Sequence, residues 1–247
     1  MIKIIFISVV ALSGFSLLFS FNKKNAEKKL ITKNGFAVVE LFTSEGCSSC
    51  PPSDEAVADL QKEFPNNVYV LGFHVDYWDR LGWKDIYSSK AFTERQSNYA
   101  DAFSLSSIYT PQVVVNGEKE FVGSNRDKLF STVKDELAIE STATITLKAV
   151  SDKNNITVSY NAASKEKAVI NFALVQLSAD TDVKRGENGG RKLHHINVVR
   201  GFKTVEADAG NISFTLPAGL MAKEVKVVAY VQQKANLKVI AASYITL

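Results

Sequence analysis

Cys47 and Cys50 are the only cysteines in 247 residues, and just two residues separate them. Upstream lies the apolar run "FAVVELF" (36–42), broken only by Glu40, which reads as a buried strand rather than a half-exposed one. Downstream, from residue 53 to 64, Val57, Leu60 and Phe64 recur at helical spacing. Asp54 and Glu55 stand in the first turn, where negative charge suits the helix dipole. The cysteines therefore fall between a strand and a helix start. "NNVYVLGFHV" (66–75) supplies a second buried strand, and strand, helix and strand in this order make a crossover unit with parallel strands.

Unpaired backbone N–H groups and the positive dipole end at such a helix start stabilise a thiolate. Cys47 is accordingly assigned as nucleophile and Cys50, nearer the helix, as resolving thiol. Two other uses of the pair stay open. A structural staple stabilises mainly by closing a long loop, and this one would close a very short ring. A zinc site usually has four ligands, so histidine or carboxylate would have to complete it. His74, at the end of the second strand, is then the third candidate ligand for zinc or copper. His74, Asp76 and Trp78 alternate and so share a face; His74 and Asp76 are expected to bond to each other and order the loop, or to meet a metal or substrate together.

Residues 76–109 form an aromatic-rich excursion whose second half reads as a helix, with Phe92, Tyr99 and Phe103 on one face. Within it, Tyr77, Trp78, Arg80 and Trp83 are candidates for the wall of a peptide groove, since aromatics give contact area with few rotors. Packing of the insertion onto the sheet is the competing use. "TPQVVVNGEKEFVG" then gives a strand from Gln112, an Asn116-Gly117 hairpin turn and a partner strand. Ser124 with Asp127 is expected to cap a helix running to about Leu137.

After Glu140 the texture changes to seven short β-rich runs separated by Asn, Asp, Gly and Lys turns, which suggests a sandwich-like second domain. The boundary is set near residue 140, giving domains over 36–140 and 141–247. The loop "KRGENGGRKLHH" in this half lacks the strand-to-helix context of a phosphate loop. It is taken as a connection or a docking surface, and His194 and His195, being adjacent on a strand, should point to opposite faces.

At the other end of the chain, Lys3 precedes an apolar run over residues 4–21, the layout of a signal peptide or signal anchor. The lysine-rich linker over 22–35 carries five lysines against one glutamate, +4, while the whole chain carries +3. With Lys3 also set aside the remainder is −2, so the basic balance belongs to the linker. A nucleic-acid partner would need a basic face on the folded body, and that class is excluded. The expected location is outside the cytoplasm, periplasmic or extracellular, with residues 4–21 as a potential membrane tether.

A βαβ unit carrying CxxC at its first helix, followed by Thr110-Pro111 entering a third strand, resembles the thioredoxin fold. The resemblance implies a cis Pro111 lying against the cysteines, backbone groups nearby that are free to pair with a bound peptide, and Thr110 as a substrate-positioning residue. It also implies that Glu40 corresponds to the buried acid below the CxxC. Such an acid would have a raised pKa and could take the proton from Cys50 during resolution. Glu40 stands one residue further from the first cysteine than in thioredoxin. The stretches "VVELFTSEGCSSCPPSD", "FHVDYWDRLGWKD", "YTPQVVVNG" and "RGENGGRKLHHINVVRG" resemble the secreted, thioredoxin-like family called domain of unknown function 1223.

The expectation is an α/β thioredoxin-like N-terminal domain with an inserted aromatic and helical segment, plus a C-terminal β-rich domain. Its activity would be thiol–disulfide exchange with protein or small-molecule thiols and disulfides, without an organic cofactor. A metal carrier using Cys47, Cys50 and His74, or a thioredoxin-like interaction module without catalysis, are the alternatives.

Overall fold

The computed structural model describes residues 25–28, 35–206 and 208–247; the expected export segment and most of the lysine-rich linker lie outside them. The parallel pair β2 (Ala37–Thr43) and β3 (Val68–His74) runs in register from Ala37 opposite Val68 to Thr43 opposite His74, joined by α1 (Pro51–Glu63). α1 begins two residues before the expected Ser53, because Pro51 and Pro52 fill first-turn positions whose N–H groups have no helical partner. The insertion follows and contains α2 (Lys90–Ala102). Next come β4 (Gln112–Val115), β5 (Lys119–Val122) and α3 (Arg126–Leu137). Asn125 caps α3 in place of the expected Ser124, its Oδ1 accepting from Lys128 N at 3.1 Å. Asn116 and Gly117 turn the hairpin with φ of 47° and 69°, the left-handed region such tight turns require.

The seven runs after residue 140 all form strands: β6 (Thr144–Asp152), β7 (Asn155–Ala163), β8 (Ala168–Asp182), β9 (Lys192–Val205), β10 (Ala209–Thr215), β11 (Val225–Gln233) and β12 (Val239–Thr246). They pack as two layers around a shared core, as expected of a sandwich, but one layer is not confined to this half. β6, β7 and β10 make a four-stranded sheet with β1 (Asn25–Lys28), whereas β8, β9, β11 and β12 extend the first-half sheet in the order β12-β11-β8-β9-β3-β2-β4-β5. The change of texture near residue 140 is thus not a division between sheets. β9 lies beside β3 in parallel, with Gly72 opposite Val198, and covers an edge that would otherwise leave backbone groups unpaired.

Alternation along each strand builds a core on both faces of this mixed sheet. On one face Val38, Phe42, Leu71, Phe73, Val175 and Tyr230 pack with Phe92 and Tyr99 of α2. On the other, Val39, Leu41, Val70 and Val113 meet Val57 and Leu60 of α1 and Leu129 and Val133 of α3. That same face further along is covered by the four-stranded sheet, through Leu147, Val158 and Phe214 against Phe172, Val227 and Ala229. Burial of this kind is worth about 1.5–3 kcal/mol per large aliphatic or aromatic side chain, and it fixes the end of β2 where the cysteines begin.

Candidate functional site

Cys47 and Cys50 form a disulfide in the turn between β2 and α1. The chain turns at Ser44, whose carbonyl accepts from Cys47 N at 3.1 Å, and again at Cys47, whose carbonyl accepts from Cys50 N at 3.2 Å. Cys50 is the N-cap of α1, and its carbonyl accepts from Ser53 N and Asp54 N. One end of the disulfide therefore sits at the positive end of a helix, where a departing thiolate is stabilised. Ser48 and Ser49 are exposed, but both cysteines are 0% exposed.

The Thr110–Pro111 peptide is cis. β4 pairs antiparallel with β2, Gln112 opposite Phe42, which brings buried Pro111 beside the strand end that leads into the cysteine turn. Pro111 O accepts from Gly123 N, and Gly123 packs against Ser53 in the first turn of α1. Trp78 joins this group, its indole donating to Thr110 Oγ1 at 2.8 Å. Tyr77 packs with the apolar cluster over α2, and Arg80 is exposed with its Nε on Tyr77 O. Cys47, Cys50, Pro111, Thr110 and Trp78 are thus brought to one end of the sheet.

Glu40 is placed elsewhere. It lies on the β2 face opposite α1, because a one-residue offset along a strand reverses the face. Its Oε2 accepts from Arg95 Nε at 2.5 Å, and its Oε1 accepts from Arg95 Nη2 at 2.7 Å and from the Tyr99 hydroxyl at 2.6 Å. Burial pushes the Tyr99 and Tyr230 hydroxyls upward, so both remain protonated around this carboxylate. Arg95 also stands over the Phe202 ring at 4.7 Å. Both carboxylate oxygens are engaged in an ion pair that fastens α2 to the sheet.

His74 and Asp76 do not bond to each other as expected. His74 Nδ1 meets Asp85 Oδ2 at 2.6 Å, while Asp76 accepts from Thr93 Oγ1 at 2.6 Å. Burial pushes the His74 pKa down, but the charge and hydrogen bond of Asp85 outweigh it, and the imidazole ends above its ordinary value. Burial likewise pushes Asp85 up, and His74 brings it below the ordinary carboxylate value. Asp85 also accepts from Glu45 N at 2.9 Å and Tyr87 N at 2.8 Å, so the insertion is bolted to the cysteine turn. With the two sulfurs bonded to one another and His74 held by Asp85, the alternative metal set is not assembled. Among the described residues no group of three or more His, Cys, Asp or Glu is placed to hold a metal ion.

Several residues behind the turn had no sequence signal. Glu45 is fully buried, its Oε2 accepting from Trp83 Nε1 at 2.7 Å and its Oε1 lying 3.8 Å from His195 Nε2. His195 Nδ1 lies 3.5 Å from Asp54 Oδ1, and the His195 ring packs on His74 at 4.8 Å. His194 is exposed and meets Asp180, so the adjacent histidines do face opposite ways. The loop taken as a connection or a docking surface reaches the site. Glu187 accepts from Ser48 N and Oγ, and Asn188 donates to Glu45 O and Cys47 O. These partners are separated by more than a hundred residues, and only the pairing of β9 with β3 brings them together.

Known proteins show two kinds of similarity. A 100-residue stretch, 40% of this chain, is 26% identical to proteins named "Probable Thioredoxin" in Methanothermobacter thermautotrophicus and Methanothermobacter marburgensis, and it spans 94% of each. A crystal structure of an Agrobacterium tumefaciens protein is 28% identical, with a TM-score of 0.67 over 87% of this chain and 96% of that one. HBP35 of Porphyromonas gingivalis is 17% identical, with a TM-score of 0.55 over 87% of this chain and 76% of that one, a likeness of fold. The family described as protein of unknown function (DUF1223) matches residues 38–232, and the chain belongs to that family.

Proposed function

We propose that the chain is an exported thiol–disulfide oxidoreductase whose first half is thioredoxin-like and whose Cys47–Cys50 pair exchanges disulfides with target thiols. The observation that carries the reading is the disulfide at the β2–α1 junction with Thr110–Pro111 at the entry to the neighbouring strand β4. The partial identity to probable thioredoxins supports it. So does the apolar run over residues 4–21, since such a segment directs a chain to compartments where a disulfide persists.

In the oxidised form, a target thiolate attacks Cys47 Sγ; the Cys47–Cys50 bond breaks and Cys50 leaves as a thiolate at the α1 N-terminus. A second target thiolate then attacks the target sulfur of the mixed disulfide, and Cys47 leaves. Two electrons pass from the target dithiol to the pair, and the two target protons end on the cysteines. The reverse sequence, opened by the Cys47 thiolate, reduces a target disulfide. Thr110 and Trp78, joined by their hydrogen bond, and Tyr77 beside them form the wall along which the target lies. Glu40 serves the scaffold in this scheme.

Turnover of a disulfide-bonded protein such as insulin, with dithiothreitol as terminal reductant, tests the reading. Cys47→Ala should fall to the uncatalysed rate. An unchanged rate in that variant would refute it.

A further inference from the structure

The disulfide is inaccessible although the two serines inside its ring face solvent. The tip of the β8–β9 hairpin, residues 183–191, lies across the turn. Asn188 is 0% exposed, and its Nδ2 donates to Glu45 O and Cys47 O, each at 2.9 Å. Glu187 Oε2 accepts from Ser48 N at 3.1 Å and from Ser48 Oγ at 2.7 Å. Arg191 Nη1 holds the Asn188 amide from behind at 2.9 Å. Gly186 presses on the insertion; a Cβ there would stand 3.1 Å from Trp83 Cβ, and its φ is 76°.

These bonds have a chemical pattern. The tip gives an N–H donor to the carbonyls of the cysteine turn and an acceptor to the N–H of Ser48, which is what a passing polypeptide main chain also offers. A low-molecular-weight dithiol such as dithiothreitol carries no amide. Exchanging one hydrogen bond for an equivalent one is nearly neutral, whereas leaving a buried carbonyl or N–H unpaired costs about 1–3 kcal/mol.

We propose, resting on the redox reading above, that Glu187 and Asn188 are specificity-determining residues that hold the place of a target main chain. The substrates are polypeptide segments bearing thiols or disulfides, which displace the tip by replacing its hydrogen bonds. Small thiols reach Cys47 only when the tip opens unaided.

The test uses the full chain and its Glu187→Ala and Asn188→Ala variants. Dithiothreitol reduces the pair, its two thiols closing to a cyclic disulfide as both cysteines become thiols. The rate is read by mass after iodoacetamide alkylation. A short peptide dithiol is run in parallel and closes to a peptide disulfide. Asn188→Ala should raise the dithiothreitol rate roughly 5- to 30-fold, the factor carried by one or two kcal/mol. Exposed Glu187→Ala, which threatens no core, should raise it roughly twofold. The peptide rate should change less in both, so the preference for peptide over dithiothreitol falls. Unchanged dithiothreitol rates in both variants, or an unchanged preference, would overturn the proposal. Failure of the redox reading looks different: the pair would still be reduced faster in the variants, but neither wild type nor variants would turn over a target protein disulfide.

Discussion

Removing Arg95 should expose how much of the molecule hangs on the carboxylate buried in its central sheet. Glu40 is 1% exposed, and Arg95 contacts both of its oxygens at 2.5 and 2.7 Å. Arg95→Ala leaves that charge with hydroxyl partners alone and strips the cation from among the Phe73, Tyr99, Phe202 and Tyr230 rings. Breaking a buried pair from one side costs about 3–5 kcal/mol. At roughly 2–4 °C per kcal/mol for a chain of this size, Tm should fall by about 6–20 °C. Urea unfolding at neutral pH measures the loss as a lower midpoint with an unchanged slope. The double variant Glu40→Leu/Arg95→Met should recover most of it, because an apolar pair of similar volume leaves no charge uncompensated. An Arg95→Ala cost below about 1 kcal/mol would refute the view that this pair fastens α2 to the sheet. A Glu40→Gln variant that kept its stability but exchanged disulfides slowly would restore the proton-relay role expected from sequence.

The His74–Asp85 pair makes stability depend on pH. His74 is raised, so its contribution is full below about pH 6.5 and fades as pH climbs through the raised value; Asp85 is lowered, so its contribution is full above about pH 4 and fades below that. Urea midpoints should therefore decline from pH 6.5 to 9 in the native chain, and His74→Gln should flatten that decline. Glu45, Asp54, Tyr87 and His195 also face His74, and an undiminished slope in the variant would show that His74 does not carry the decline. Gly117→Ala should destabilise by at least about 2 kcal/mol in the same assay, since φ is 69° and the added Cβ would fall 1.9 Å from Leu237 O; a neutral result would mean the turn can move away from Leu237.

What the sequence made legible was local. Cys47 and Cys50 between an apolar run and an amphipathic run, the Asn116-Gly117 turn, and the opposite facing of His194 and His195 all follow from signals a few residues long. The role of Glu40 turned on a single residue of offset, which decides the face of a strand but leaves composition unchanged. His74 chose Asp85 over Asp76 because the backbone of the insertion folds back across the strand end, and no periodicity encodes that. The second half looked self-contained because its β-rich runs follow one another through short turns. Which sheet such a strand joins depends on edge pairing at long range, here Gly72 opposite Val198. The contacts of Glu187 and Asn188 with the cysteine turn rest on that same join.

The most direct test of the central claim is the reduction midpoint of the Cys47–Cys50 pair, measured on the folded chain in glutathione and dithiothreitol buffers. The account predicts a single two-electron transition between about −270 and −120 mV, the span of known thiol–disulfide oxidoreductases. A midpoint below about −300 mV, or a pair reducible only on unfolding, would mark the disulfide as structural and contradict it.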